Sequence, residues 1–463
     1  MQSLTFVNHL RGLWGKGGTL RQHLARAAAG SALLTVSSKL LMLLTSVVLA
    51  RWMGAEGYGV YATGMALALL LTVPTGLGLP TLVIRLLASY RVHRQWGQMR
   101  GLLVRGNQAV LVASLATVGL AVAVIWASAD RLGADKATAY SLAMLLIPLT
   151  ALGAMRSAAL RGLHHVILGQ LPESLIMPGL FLTLAVGFWV TQGETAALSP
   201  QWAIFARVVA TAAAFGVGAV LLLKRIPPAV REATPEFDLH AWARSTLPLL
   251  FIAGINIINA QTDILMLAAL RGSESAGVYQ AAVRGAELVA FSLVIVNMAI
   301  QPSIARLYAT GDKGRLQRLA TLGARAATVA ALPLAAVMIL WGAPIMATVF
   351  GSDFARGAVA LGILSAAQIV NAFTGPANSL LDMTGHQNDT LKALIVGVFA
   401  NLALNALLIP RWEIVGAAVA TGTSLMLWNT LLVILVQRRL GVNATAIVRT
   451  RQPLHANTKD HVF

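Results

Sequence analysis

A chain of 463 residues with 57% hydrophobic and 11% charged positions, and a mean hydropathy of +0.73, is too apolar for a water-soluble globule. Its net charge is +18, and it has no cysteine, which excludes disulfides, thiolate metal sites and cysteine nucleophiles. The expected fold class is an all-α polytopic membrane protein, because about 20 apolar residues cross a bilayer as a helix.

Residues 1–28 form a basic segment with Arg11, Lys16, Arg21 and Arg26; its Leu4, Phe6, Val7, Leu10, Leu13 and Trp14 suit an interfacial helix. The first apolar run after it is long enough to remain in the membrane, so no cleavable signal is expected. Spans follow at roughly 29–50, 59–80, 106–127, 139–160, 171–191 and 201–223. A linker at 224–244 holds Pro227, Pro228 and Pro235, and six further spans run roughly 246–269, 278–301, 326–349, 357–380, 391–409 and 414–436. The predicted organisation is therefore twelve transmembrane helices in two six-helix bundles, 29–223 and 245–437, with a basic tail at 438–463.

A repeat relates the bundles. The stretch LARWMGAEGYGVYA begins at Leu49, and LAALRGSESAGVYQ begins at Leu267. Leu49, Ala50, Gly54, Glu56, Gly59, Val60 and Tyr61 recur without a gap as Leu267, Ala268, Gly272, Glu274, Gly277, Val278 and Tyr279. Each stretch lies between two apolar runs and reads as a tight turn, with glycine for backbone freedom and tyrosine for the membrane interface. The inner connections repeat as well: Arg85, Arg91, Arg94, Arg100 and Arg105 in the first half, Arg306, Lys313, Arg315, Arg318 and Arg325 in the second. These charged faces read as solvated surfaces that fix topology; the alternative reading is a basic rim for anionic lipid headgroups.

Most basic residues fall on the side of the N-terminus; the opposite turns hold only Arg51, Arg131, Lys136, Arg271, Arg356 and Arg411. Both termini are thus expected in the cytoplasm. The positive charge serves topology, and no basic domain stands apart to bind nucleic acid.

Charges inside spans are costly and point to partners or a wet cavity. Lys39, Arg207 and Arg284 are the basic candidates, and Glu173 lies near the inner end of its helix between Pro172 and Pro178. Asp263 and Arg284 sit at matched depth below the outer turn, and Arg284 and Glu287 share a helical face, so Asp263, Arg284 and Glu287 are candidates either for a structural ion-pair network or for a substrate role. Asn256, Asn259, Asn371 and Asn378 are candidate polar lining. No acid/base pair, metal cluster or activated nucleophile is recognisable, so neither an enzyme nor a cofactor is expected.

The turn at Leu49, the stretch QTDILMLAALRGSESAGVYQAAVR, the turn TGHQND and the segment NLALNALLIPRWEIVGAAVATGTS together resemble the multidrug, oligosaccharidyl-lipid and polysaccharide (MOP) exporter superfamily, specifically its bacterial polysaccharide flippase, or Wzx-like, branch. The resemblance runs from the first span to the last. It implies two pseudo-symmetric bundles around a central cavity that opens alternately to each side. It also implies an undecaprenyl pyrophosphate-linked oligosaccharide as cargo, an inner-membrane location, and work beside other polysaccharide-assembly proteins. Lys39, Arg207 and Arg284 then become a cationic route for the pyrophosphate, and Asp263, Glu287 and Glu173 coupling or structural carboxylates. The first span offers Lys39 and no carboxylate, unlike many cation-coupled drug exporters of similar fold. Such an exporter of drugs or metabolites remains the alternative.

Overall fold

The computed structural model describes residues 20–192 and 198–447. The expected interfacial residues Leu4 to Trp14 and the end of the tail lie outside this range. Among the described residues all regular structure is helical, and ten helices are long and apolar enough to cross a membrane. Two of these, of 47 and 54 residues, are double-length. Each breaks at one residue: Gly54, with φ 66° and ψ −179°, and Glu413, with φ 49° and ψ −123°. Glycine takes the positive φ without a Cβ clash, whereas Glu413 holds it as a strained turn.

Counting the arms of the broken helices separately, the rods are α1 (20–53), α2 (55–76), α3 (Trp96–Ala127), α4 (Ala134–Gly162), α5 (Val166–Thr191) and α6 (Pro200–Arg225), then α7 (Leu239–Arg271), α8 (Ser273–Ala309), α9 (Lys313–Leu340), α10 (Ala358–Thr374), α11 (387–412) and α12 (414–440). They alternate between a turn end, where Gly54 and Gly272 lie, and a connector end.

Several boundaries differ from the sequence reading. The basic inner connections are largely helical: Leu79–Val92 is a helix, Arg100 and Arg105 belong to α3, and the second basic run opens α9, capped by Asp312 accepting from the Arg315 amide at 2.9 Å. The expected span to 349 stops at Leu340, because Gly342 and Pro344 interrupt the helix. The residues beyond fold across the turn end as a π turn, Met346–Phe350, and a 3₁₀ turn, Ser352–Gly357. Gly375, with φ 69°, ends α10 short of 380. The linker is also shorter than expected, since α6 continues to Arg225 and α7 begins at Leu239.

The repeat has a conformational counterpart. Gly272, the mate of Gly54, has φ 86° and ψ 170°, so both turns use the same backbone shape. The mates Gly59 and Gly277 face each other where α2 crosses α8. A Cβ on Gly59 would collide with the Ser273 carbonyl, and one on Gly277 with the Ala55 carbonyl, so the contact reads the same from either half. Small residues let membrane helices approach backbone to backbone, where van der Waals packing replaces the missing hydrophobic drive. Ion pairs repeat too: Glu56 with Lys136 at 3.2 Å, and Glu274 with Arg356 at 2.6 Å.

At the connector end each half is strapped by the segment that leaves its last helix. The Glu236 amide donates to the Gly97 carbonyl at 3.0 Å, and Arg100 Nη1 to the Ala233 carbonyl at 2.7 Å. In the second half Gln317 exchanges two hydrogen bonds with the Asn443 backbone, at 2.7 and 2.8 Å.

Apolar packing defines the shape. One continuous core at the turn end joins both halves, from Leu49, Tyr58 and Ile204 to Tyr279, Phe354 and Ile409. At the connector end there are two separate cores, one around Leu82, Leu102 and Met155, the other around Ile304, Leu380 and Leu432. The halves are therefore joined at one end and divided at the other.

Candidate functional site

Between the divided halves lies a cavity of about 810 Å³. Its lining runs from Tyr58 and Tyr61 near the turn end to Pro80, Arg161, Gln170 and Trp428 towards the connector end. The turn end is shut by contacts across the halves: Arg51 Nε donates to the Val349 carbonyl at 2.8 Å, its Nη2 bonds the Thr348 carbonyl, and Tyr58 meets Phe354 edge-on at 6.1 Å. Among the described residues four basic side chains, Lys39, Arg161, Arg207 and Arg284, and three acidic ones, Glu173, Asp263 and Glu287, line the cavity.

Arg284 is the best-anchored of these cations. Its Nη1 donates to both Glu287 carboxylate oxygens, at 2.9 and 3.1 Å. With the amide of Gln280 oriented oxygen-first, that oxygen accepts from Arg284 Nε at 3.2 Å and Nη2 at 2.9 Å. Residues four before and three after on one helix thus hold the guanidinium in place. Lys39 reaches Glu287 from the other half, at 4.0 Å. Arg207 lies over the Phe181 ring, 5.2 Å from its centroid, and Phe181 stacks on Tyr61. Among the described residues no carboxylate pairs with Arg207.

Asp263 does not pair with Arg284, contrary to the sequence expectation. Its carboxylate accepts from Tyr279 Oη at 2.9 Å, Thr421 Oγ1 at 2.5 Å and Asn405 Nδ2 at 2.6 Å. The reason is azimuth. Arg284 stands five residues beyond Tyr279, which rotates it about 140° around α8; Tyr279 faces Asp263, and Arg284 faces Glu287 and Gln280. Matched depth was necessary for pairing and was not sufficient. Asn401 extends the hub, accepting from Asn405 at 3.0 Å.

Glu173 pairs with Arg156 of α4, whose guanidinium is 3% exposed and also donates to the Ala214 and Phe215 carbonyls at 2.9 and 3.1 Å. Gly218 makes room for it, since a Cβ there would strike the guanidinium.

A model of a family described as polysaccharide biosynthesis protein matches residues 24–308, and one described as lipid II flippase MurJ matches residues 179–453. The chain belongs to the flippase group of the MOP superfamily.

The MOP fold is evident in the coordinates as well. An inward-facing structure of a multidrug resistance MATE family transporter superposes with a TM-score of 0.69 at 14% identity, over 87% of this chain and 94% of that one. The lipid II flippase MurJ in an inward closed conformation also gives 0.69 at 14% identity, over 88% and 87%. By sequence, the chain is 26% identical over 174 residues to a protein of Haloferax volcanii described as probable flippase AglR. That match takes in 37% of this chain and 36% of the relative, so the chain spans about a third of the length of that relative.

Within this MOP fold, Lys39, Arg207, Arg284, Asp263, Glu287, Glu173 and Asn259 all line the cavity. Asn371 stands one step back, donating to the lining residue Gln368 at 3.0 Å, while Asn256 and Asn378 are exposed away from the cavity lining. Arg156 is a site residue that the sequence analysis does not single out. The signal was present: Arg156 and Glu173 lie about equally far from the short turn between α4 and α5. Thr421 and Asn405, which hold Asp263, carried no local signal.

Proposed function

We propose that the protein moves an undecaprenyl pyrophosphate-linked oligosaccharide from the cytoplasmic to the periplasmic leaflet of a bacterial inner membrane, for surface or secreted polysaccharide synthesis. The observation that carries this reading is the cavity: cations from both halves line a space embedded in a helical membrane protein, shut at one end and divided at the other. A pyrophosphate and its sugars cannot cross hydrocarbon without compensation for their polar groups. The likeness to MurJ-type and polysaccharide biosynthesis families supports the same cargo class.

On this reading the connector end is cytoplasmic, as the basic helices there require. The headgroup enters from that side, and its phosphates meet Lys39, Arg284 and Arg207 while the polyprenyl tail stays in lipid. Glu287, between Lys39 and Arg284, gives the cations a partner when the cargo is absent and releases them when phosphate arrives. The halves then rock about the Gly59–Gly277 crossing, and Arg51 lets go of the Thr348 and Val349 carbonyls to open the other side. The protein's part is to bind and to move; we assign no catalytic residue.

A cation-coupled drug exporter of the same fold is the second reading. Asp263 favours it, being a buried carboxylate held by hydroxyls and an amide, with no basic side chain among the described residues bonded to it. A deletion strain decides between them. Loss of surface polysaccharide with accumulation of the lipid-linked repeat on the inner leaflet is expected for the flippase. Unchanged polymer with raised sensitivity to cationic drugs would replace it by the exporter.

A further inference from the structure

We infer that the α4–α5 wall of the cavity, centred on Glu173 and Arg161, recognises the hydroxyl groups of the cargo's first sugars and is chemically separate from the cations that hold its phosphates. This rests on the flippase reading and specifies which wall reads the glycan.

The wall starts from an irregularity in α5. Residues Pro172–Ile176 form a π turn, which widens the helix locally and re-aims the side chains on it; such turns recur where a helix serves a site. Glu173 occupies this turn and lines the cavity. Its Oε1 meets the buried guanidinium of Arg156, itself tied to the Ala214 and Phe215 carbonyls, so the carboxylate is fixed in place and its charge is balanced. The other oxygen, Glu173 Oε2, is occluded yet has no hydrogen-bond partner, and the same is true of Arg161 Nε on α4. Polar atoms in that state are rare in folded proteins and costly unless something satisfies them.

An open acceptor on α5 and an open donor on α4 match a polyol, whose hydroxyls can donate to one and accept from the other. Gln170 and Ser174, flanking Glu173 on α5, add an amide and a hydroxyl to the same lining. A phosphate does not fit here. It would be repelled by Glu173, which already takes the charge of Arg156. The phosphate's place is across the cavity, where Arg284 and Lys39 share one carboxylate and Arg207, among the described residues, has none. One lipid-linked glycan would therefore present its pyrophosphate to the α1, α6 and α8 cations and its sugars to α4 and α5.

The test uses the full-length protein in lipid nanodiscs and two probes: undecaprenyl pyrophosphate without sugar, and undecaprenyl-pyrophosphoryl trisaccharide. Wild type should bind the trisaccharide lipid more tightly than the bare lipid. Glu173→Gln should weaken the trisaccharide lipid about tenfold, the loss of roughly one charged hydrogen bond, and leave the bare lipid unchanged. Because Glu173→Gln also disturbs Arg156, a second variant, Gln170→Ala with Ser174→Ala, leaves the ion pair intact and should show the same selective loss at smaller size. Arg284→Ala should weaken both probes together. Equal loss of both probes in the α5 variants, no loss in either, or equal wild-type affinity for the two lipids would each overturn the sugar wall while leaving the flippase reading in place. Failure of wild type to bind either lipid would overturn both.

Discussion

In the first half of the molecule Glu173 meets a guanidinium; in the second half Asp263 meets two hydroxyls and an amide. Both carboxylates line the same cavity, but their charges are met in opposite ways. The Arg156–Glu173 pair is neutral as a unit, and taking up a proton would break it. Asp263 is met by three neutral hydrogen-bond donors, and among the described residues no positive side chain is bonded to it. One half thus fixes its carboxylate with an opposite charge, the other with neutral donors. Position in the repeat gives no hint of this difference, since the mate of Asp263 by the same offset is Thr45.

Removing the counter-charge in the first half should have the largest effect. Arg156→Ala leaves the half-exposed Glu173 without its counter-charge, and a loss of about 3 kcal/mol is expected, the low end for a broken buried pair. The checks are the apparent Tm of the purified protein and recovery of part of the loss in the Arg156→Met, Glu173→Gln double variant. If Arg156→Ala is as stable as wild type, the first-half pair is not structural and the contrast with Asp263 weakens.

The Gly59–Gly277 crossing asks how equal the halves are where they touch. Gly59→Leu and Gly277→Leu each drive a side chain into the facing carbonyl, and overpacking of about 1–3 kcal/mol is expected at either. Equal drops in thermal stability would mark a true pseudo-two-fold contact; a drop at only one would show that the repeat is asymmetric in energy.

Asp263→Asn keeps the size of the side chain and removes its charge. Stability should change by about 1 kcal/mol, the scale of a neutral hydrogen bond. Transport in vesicles with an imposed proton or sodium gradient should lose its dependence on that gradient, whereas Glu173→Gln should keep it. Gradient dependence retained in Asp263→Asn would remove the coupling role.

Lys39→Met should matter least for folding. The side chain is half-exposed and 4.0 Å from Glu287, the kind of pair that contributes about 0–1 kcal/mol. Its effect should appear instead as weaker binding of undecaprenyl pyrophosphate, and unchanged binding would exclude Lys39 from the phosphate route.

Much of this protein is set by local sequence. Hydropathy sufficed for the helical membrane class, though not for every helix end, because a chain in lipid must close its own backbone hydrogen bonds and helices are the simplest way to do so. The glycine pattern sufficed for the repeat: Gly54 and Gly272 adopt the backbone shape that the matching turns imply, since few other residues enter that region without strain. Cavity charges were legible as misfits in apolar runs, and Lys39, Glu173, Arg207, Asp263, Arg284 and Glu287 all face one space. Which of them would pair was not legible. Depth follows from counting residues, and by that count both Asp263–Arg284 and Arg156–Glu173 were possible. Azimuth about the helix axis, the π turn at Pro172, the room made by Gly218 and the approach of Thr421 and Asn405 from α11 and α12 decided the outcome. These are relations between helices distant in sequence, and only the packed structure sets them.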